Sequence, residues 1–573
     1  MELKYTTDKG TQIVLSLLKE HGISKVIASP GTTNVALVGS MMYDKWFEMY
    51  SSVDERSAAY MACGLAAESG EPVVITCTGA TASRNYFPAL TEAYYRKLPI
   101  LVIAGSHGEE KVGHLHAQTL DRSQSPQDTI IKRVSIDKIL DEDQEWKTIV
   151  DVNDAILTLR HRGGGPVLIN LREATMKPYT AEQLPKVRVI RRYNYEDGHL
   201  PPLAAMRIAI FIGAHRKFTE EEQNAIEHFC ETNNAVVFCD HTSGYYGKYR
   251  IQNALIASQT FSYTLDIVHP DLLIHLGEVS GDAYELVRLK SKETWRVNED
   301  GGIKDLFRNL TNVFEMSVTT FFNSYTKSKA VQDVEYYEAC RLVYNDLYGK
   351  LPELPYSNVW VASKLHKVLP TPCVLHMGIL NSLRSWNFFE LPNGIETSCN
   401  VGGFGIDGPI STIVGASLAH KDKLHFLVVG DLAFFYDLNA LGNRHITNNL
   451  RILLVNNGRG IEFRQYDHTA NQWGNDADLY MAAGGHFGKQ SPTLVKDFVS
   501  NMGFKYLSAR TKNELECVVG EFVDNNLKDK PIILEVFTTP ECERDAIQMM
   551  KRILPDERSI ADKIIGKVKS IIG

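Results

Sequence analysis

No CxxC pair occurs among the nine cysteines of this 573-residue chain, and their number is odd. That excludes the usual zinc spacings and a disulfide framework, and it favours reduced thiols in a cytoplasmic protein. No stretch approaches the roughly 18 uninterrupted apolar residues of a membrane span. The opening segment MELKYTTDKGTQIVLSLLKEHG carries charge throughout and lacks the apolar core of a secretion signal. No basic stripe with interleaved aromatics is present, and the net charge is −8, so nucleic acid is not an expected partner. Short-period repeats are also missing, which excludes a solenoid. What remains is an ordinary soluble composition, 44% hydrophobic and 23% charged, on a chain long enough for two to four domains.

Short apolar runs alternate with helical patterns, which implies βαβ units and parallel sheets. In the first third, KVIAS (25–29), PVVITCTG (72–79), ILVIAG (100–105) and GGGPVLINLR (163–172) read as strands. Between them lie a turn and helix from PGTTNVALVGSMM, a helix from DERSAAYMACGLAAESG ending at Gly70, and one helix through TASRNYFPALTEAYYRK. The charged, proline-bearing stretch 177–202 reads as a linker. A second unit carries RIAIFIGAH (207–215), AVVFCDHTSG (235–244), DLLIHLGEVSG (271–281) and TWRVNED (294–300), followed by a charged helical connection near 325–350. A third carries TPCVLHMG (371–378), LHFLVVGD (424–431), LRILLVNNG (450–458) and PIILEVFT (531–538). The expected fold is α/β with three doubly wound parallel-sheet domains, over 1–182, 200–325 and 350–573.

The segment 424–460 is the most informative. One strand ends in Gly430-Asp431 and the next in Asn456-Asn457-Gly458. Ligands of open parallel sheets bind beyond the carboxyl ends of strands, so these two ends deliver a carboxylate and an amide oxygen to one place. A hard cation such as Mg²⁺ takes oxygen ligands and bridges to phosphates, and adjacent glycine lets backbone approach a diphosphate. Taken singly, GD and NNG are ordinary turn chemistry after buried strands. Together, 26 positions apart with one helix between, they resemble the thiamine-diphosphate signature, with Leu432 in place of its usual glycine.

The resemblance extends nearly end to end and is to the MenD-like branch of the thiamine-diphosphate superfamily, the synthases of 2-succinyl-5-enolpyruvyl-6-hydroxy-3-cyclohexene-1-carboxylate. It rests on SPGTTN, VDERSAAYMACGLA, PVVITCTGATASRNYFPALTEAYYRKLPI, HAQTLDR, GGPVLINLRE, NVGGFGIDGPIST, GDLAFFYDLNAL and VNNGRG. It implies pyrimidine-binding, central and diphosphate-binding domains, with thiamine diphosphate and Mg²⁺ as cofactors and FAD not expected. Glu55 matches the glutamate that hydrogen-bonds the cofactor's pyrimidine ring, although as a lone residue it reads as a helix-dipole partner. Such an acid needs a dry pocket and a raised pKa. Ile406, alone a core residue, matches the apolar side chain that bends the cofactor. Asp431 and Asn457 match the metal ligands, with a carbonyl at Arg459 completing the set, and Ser382, Gly430 and Leu432 fall against the cofactor. Gln118 matches an active-site glutamine. His107, His114 and His116 crowd the same segment, either as surface residues or as proton or carboxylate partners. The superfamily pairs the first domain of one subunit with the third of another, so a homodimer or a dimer of dimers is implied.

The substrate positions depart from the pattern. Four arginines that would clamp the dicarboxylic donor and the acceptor stand here as Thr33 (within Thr32-Thr33-Asn34), His107, Trp386 and Val401. Arg384 lies close to Trp386, and Arg384, Arg459 or the histidines could compensate. A buried carboxylate without a cation is costly. The sequence reading is therefore a decarboxylase or carboligase that transfers an acyl unit from a small, pyruvate-like 2-oxo acid to a carbonyl acceptor, with Trp386 narrowing the pocket. The alternatives are the family's own reaction, 2-oxoglutarate with isochorismate, and a catalytically silent thiamine-diphosphate-binding subunit. Candidate substrate contacts are Thr32, Thr33, Asn34, His107, His116, Arg384 and Trp386; Glu55, Gln118 and His107 are the candidate catalytic groups.

Overall fold

The computed structural model describes residues 4–119, 121, 124–172, 178–259, 263–282, 289–327, 335–486, 491–527 and 529–557. Leu120 and Arg122 of the HAQTLDR segment lie outside them. Two compact units emerge, one from residues 1–194 and 301–315, the other from 195–300 and 316–573.

The first unit holds a six-stranded parallel sheet in the spatial order 48–51, 25–28, 73–77, 100–106, 167–172, 132–136. Its central strands, Val73–Cys77 and Ile100–Ser106, are buried along their whole length. Burial on both faces requires continuous apolar runs, and these are the strands legible in the sequence. Helices cover both faces, and each stop follows from local chemistry. Asp54 caps Glu55–Ser69 by accepting from the Arg56 amide, and Gly70 ends that helix at φ +67°, a conformation that favours glycine. The helix expected through residues 81–97 is two, Thr81–Asn85 and Phe87–Tyr95, the second with a proline in its first turn. Within the stretch read as a linker, Tyr179–Ala181 pairs antiparallel with Tyr5–Thr6, and Arg191–Asn194 pairs parallel with Leu310–Glu315. Asp305 fastens segment 301–315 inside this unit, accepting from Trp146 Nε1 at 2.8 Å and pairing with Arg188 at 2.7 Å.

The second unit carries two further parallel arrays. Five strands run in the order 250–252, 235–239, 208–212, 272–276, 293–298. Six more run 395–399, 373–377, 424–430, 450–456, 532–537, 505–509. In chain order the six-stranded sheets of both units read 2-1-3-4-6-5, so the first and last thirds share one topology with no visible repeat in sequence. Among the described residues no helix is long and apolar enough to cross a membrane, and every cysteine in them is a free thiol.

Candidate active site

In the last sheet the chain turns from strand 373–377 to the edge strand on one side and then to 424–430 on the other. That reversal is the switch point at which open α/β sheets bind ligands. A cavity of about 270 Å³ lies there, at the carboxyl ends of strands 373–377, 424–430 and 450–456. Asp431 and Asn457 both line it and are 4% and 3% exposed. The two side chains come from adjacent strand ends, as expected, although the connection between them is a short helix, Asp431–Tyr436, followed by a 3₁₀ turn, Leu438–Gly442.

The residues fit a metal-bound diphosphate. A carboxylate and a carboxamide oxygen form a hard donor set. A Cβ added at Gly430 would meet nothing within 4 Å, so the backbone there opens onto free space. Ser382, Ile406, Leu432 and Arg459 line the same cavity, and Ile406 also packs on the core beneath it. The Arg459 guanidinium is engaged by Asp478 and its amide donates to Asn457 Oδ1 at 3.3 Å. Next to Asn457, Asn456 Nδ2 donates to Glu535 at 2.7 Å and the Tyr506 hydroxyl donates to the same carboxylate at 2.8 Å. Burial raises the acid of Glu535, against the pull of these two bonds.

A carboxylate behind the cavity wall carries no mark in the sequence. Glu543, fully buried on helix Pro540–Met550, accepts from Thr538 Oγ1 at 2.6 Å, from the Asn358 amide at 2.9 Å and from Asn381 Nδ2 at 3.4 Å. Asn358 and Asn381 both face the cavity. Desolvation pushes the Glu543 acid up to about 7. An acid raised on folding contributes stability that is complete below its unfolded pKa, near 4.5, and is lost as pH rises through about 7. The loss is on the order of 3 kcal/mol for a shift of this size. Glu543→Gln, which cannot ionise, is expected to flatten the pH dependence of the unfolding midpoint between pH 5 and 8 and to exceed the parent in stability at pH 8. Parallel curves for the two proteins would remove Glu543 as the cause.

Three of the four arginine-replacing positions, Thr33, Trp386 and Val401, are buried in the framework. Trp386 is 1% exposed and lies outside the cavity wall, and its carbonyl accepts from His241 Nε2 at 3.2 Å. It is a core residue here and is not among those lining this cavity. Val401 is likewise buried. Arg384 is held by Glu462 through two bonds of 2.6 and 3.2 Å. In the first unit Thr33 Oγ1 lies 2.6 Å from Thr78 Oγ1, donates to the Gly105 carbonyl at 2.9 Å and accepts from the Gly79 amide at 3.2 Å. Asn34 Nδ2 donates to the Ser29 carbonyl at 3.0 Å and lines a separate cavity of about 450 Å³ in that unit, while Thr32 is exposed. Glu55 opens its helix, partly exposed, with Asn85 Nδ2 donating to it at 3.4 Å; the dry pocket expected around it is not formed within this unit. His107 is partly exposed, and His114, His116 and Gln118 are exposed, Gln118 at φ +59°.

At the switch point of the five-stranded array the backbone closes up among the described residues. Its strand ends stay zipped by backbone, with the Gly213 amide donating to the Leu276 carbonyl at 3.0 Å and the Ala214 amide to Val279 at 3.1 Å. A Cβ on Gly213 would stand 2.1 Å from the Glu278 carbonyl oxygen.

Comparison with known proteins agrees with this geometry. Residues 8–125 match the family described as "Thiamine pyrophosphate enzyme, N-terminal TPP binding domain". A 2-succinyl-5-enolpyruvyl-6-hydroxy-3-cyclohexene-1-carboxylate synthase of Bacteroides fragilis is 32% identical over 558 residues, spanning 93% of this chain and 97% of the relative. The enzyme of the same name from Bacteroides thetaiotaomicron is 33% identical over 93% of this chain and 96% of its own length. That of Flavobacterium johnsoniae is 28% identical over 94% and 97%. These relatives support the family's own reaction better than the small-donor reading drawn from the missing arginines. With the thiamine-pyrophosphate domain matched and the likeness running the length of both chains, this protein is a thiamine-diphosphate-dependent enzyme and belongs to the 2-succinyl-5-enolpyruvyl-6-hydroxy-3-cyclohexene-1-carboxylate synthase family.

Proposed function

We propose that the chain is a decarboxylating carboligase of its family, taking a 2-oxo acid, releasing CO₂ and joining the remaining acyl unit to a second substrate. The first reading of those substrates is the pair the resemblance implies, 2-oxoglutarate and isochorismate. The observation that carries it is the buried Asp431–Asn457 pair at the switch-point cavity of a chain 32–33% identical to synthases of that name. Asp431, Asn457 and the Arg459 carbonyl would hold Mg²⁺, Gly430 would admit the diphosphate and Ile406 would set the cofactor's bend. Bound thiamine diphosphate would supply a nucleophilic carbon and the electron sink for decarboxylation. Glu55 would hold a proton at its carboxylate against the pyrimidine ring.

The proposal includes the division into pyrimidine-binding (1–182), central (200–325) and diphosphate-binding (350–573) domains, and a homodimer or dimer of dimers. Partly exposed Glu55 supports the second part, as do Val35, Met42 and Val53 on the same unit, which leave 50–80% of their surfaces open.

A second reading, a small donor such as pyruvate, is favoured by a specific observation. The arginines nearest the cavity are committed, Arg384 to Glu462 and Arg459 to Asp478, and Thr33 is latched to neighbouring strand ends. CO₂ release by the protein loaded with thiamine diphosphate and Mg²⁺ separates the readings. With isochorismate present, preference for 2-oxoglutarate is expected on the first reading. Preference for pyruvate with an aldehyde acceptor establishes the second, and no release from either overturns both.

A further inference from the structure

Glu462 sits in the 3₁₀ turn Ile461–Arg464, directly after the NNGRG segment, and its side chain lines the cavity. Arg384 stands behind it, on helix Asn381–Asn387, one residue beyond Leu383 and two beyond the cavity-lining Ser382. The guanidinium NH1 and NH2 donate to Glu462 Oε2 and Oε1 at 2.6 and 3.2 Å, and the two side chains are 14% and 22% exposed. Asp467 is a second carboxylate within reach of the Arg384 charge, and it is itself hydrogen-bonded to Lys551. A planar, two-bond fork of this kind is how arginine recognises carboxylates in general. The protein's own carboxylate therefore occupies, at the edge of the cavity, the contact that a distal substrate carboxylate would seek.

We propose that Glu462 is a specificity-determining residue of the donor site, an internal carboxylate that occupies Arg384 and sets discrimination between donors with and without a second carboxylate. A dicarboxylic donor such as 2-oxoglutarate must displace Glu462 to gain the guanidinium. Pyruvate makes no such demand and leaves the pair in place. The pairing also explains how a largely buried arginine is kept behind the cavity wall without the penalty of an uncompensated charge. This inference rests on the reading that the cavity takes a 2-oxo acid, and it holds for either donor.

The test uses the full-length chain loaded with thiamine diphosphate and Mg²⁺, comparing the parent with Glu462→Gln and Glu462→Ala. The ratio of kcat/KM for 2-oxoglutarate to that for pyruvate is expected to rise by about 10-fold or more, because the competing carboxylate is gone. The gain should lie in KM for 2-oxoglutarate, with KM for pyruvate little changed. Calorimetric binding of glutarate, a dicarboxylate that cannot decarboxylate, should tighten in parallel. Adding Arg384→Gln to Glu462→Gln should abolish both gains. The glutamine variant retains an acceptor oxygen for Arg384 and keeps the test open where the alanine variant fails to fold. An unchanged donor ratio with unchanged glutarate binding in folded Glu462→Gln overturns the proposal, as does a gain that survives the double substitution. If the parent releases CO₂ from neither acid, the reading of the cavity fails and the proposal falls with it; if the parent turns over and only the ratio stays fixed, the proposal alone falls.

Discussion

Replacing Glu55 by glutamine is expected to lower kcat by about 10²–10⁴-fold, the usual worth of a positioned acid–base group, while thiamine diphosphate still binds. Two roles compete for this side chain, and their magnitudes separate them. As the first residue of helix Glu55–Ser69, a carboxylate complements the helix dipole, an effect of roughly 0.3–1 kcal/mol at an exposed terminus. That role predicts a small drop in the unfolding midpoint and unchanged turnover. The proton-holding role predicts the reverse, since the substitution keeps size and hydrogen bonding but removes the ionisable group. Asn85, which donates to Glu55 at 3.4 Å, can still pair with the amide oxygen, so the local structure has no reason to move. The measurement is single-turnover CO₂ release beside a cofactor titration followed by intrinsic fluorescence. Full activity with an altered midpoint would return Glu55 to a purely structural role.

Asp431→Asn is the second large effect. Substitutions one step removed from a metal ligand already cost 10–100-fold in affinity, so losing a ligand carboxylate should weaken Mg²⁺-dependent binding of thiamine diphosphate by at least about 100-fold. Asp431 also begins a helix, Asp431–Tyr436, and a dipole contribution there is again about 1 kcal/mol or less. The side chain is only 4% exposed, and asparagine conserves its volume, so packing should survive. Titrating thiamine diphosphate with Mg²⁺ and again with EDTA reads the ligand role directly. The parent should show a large difference between the two conditions and the variant almost none. Equal Mg²⁺ dependence in both proteins would show that the metal is held elsewhere.

What could be read from the sequence divides along a physical line. The strands recognised in advance, such as 73–77, 100–106, 424–430 and 450–456, lie inside their sheets and are apolar because both faces are covered. Those overlooked in the six-stranded sheets, EMYS at 48–51, KRVSI at 132–136, IETSC at 395–399 and KYLSA at 505–509, are all edge strands. Edges are half-solvated and carry charge, so their composition resembles that of loops. Strand 167–172, the last of this sheet in chain order, is flanked in space by one of them. The site followed the same rule. Asp431 and Asn457 were legible because they sit at fixed offsets from buried strands. Glu462 enters the cavity wall from a 3₁₀ turn, and Glu543 lies behind that wall on a helix remote in sequence, bonded to the lining residues Asn358 and Asn381; no local pattern marks either. Trp386 shows the opposite difficulty, since an aromatic near a site motif looks like a wall residue, and only the structure shows how deeply it is buried.

The latch at Thr33 constrains how this protein can change. Its hydroxyl ties together three strand-end loops, and a Cβ at Gly105 would stand 2.2 Å from the Thr33 carbonyl oxygen. An arginine restored at position 33 would find that space taken, and the hydroxyl contacts would be lost before any cation reached the substrate. Substitution of position 33 by arginine alone therefore costs the latch unless the residues around it change as well. On the role proposed for Glu462, a laboratory selection for stronger affinity for acidic substrates has a shorter route through position 462 than through position 33.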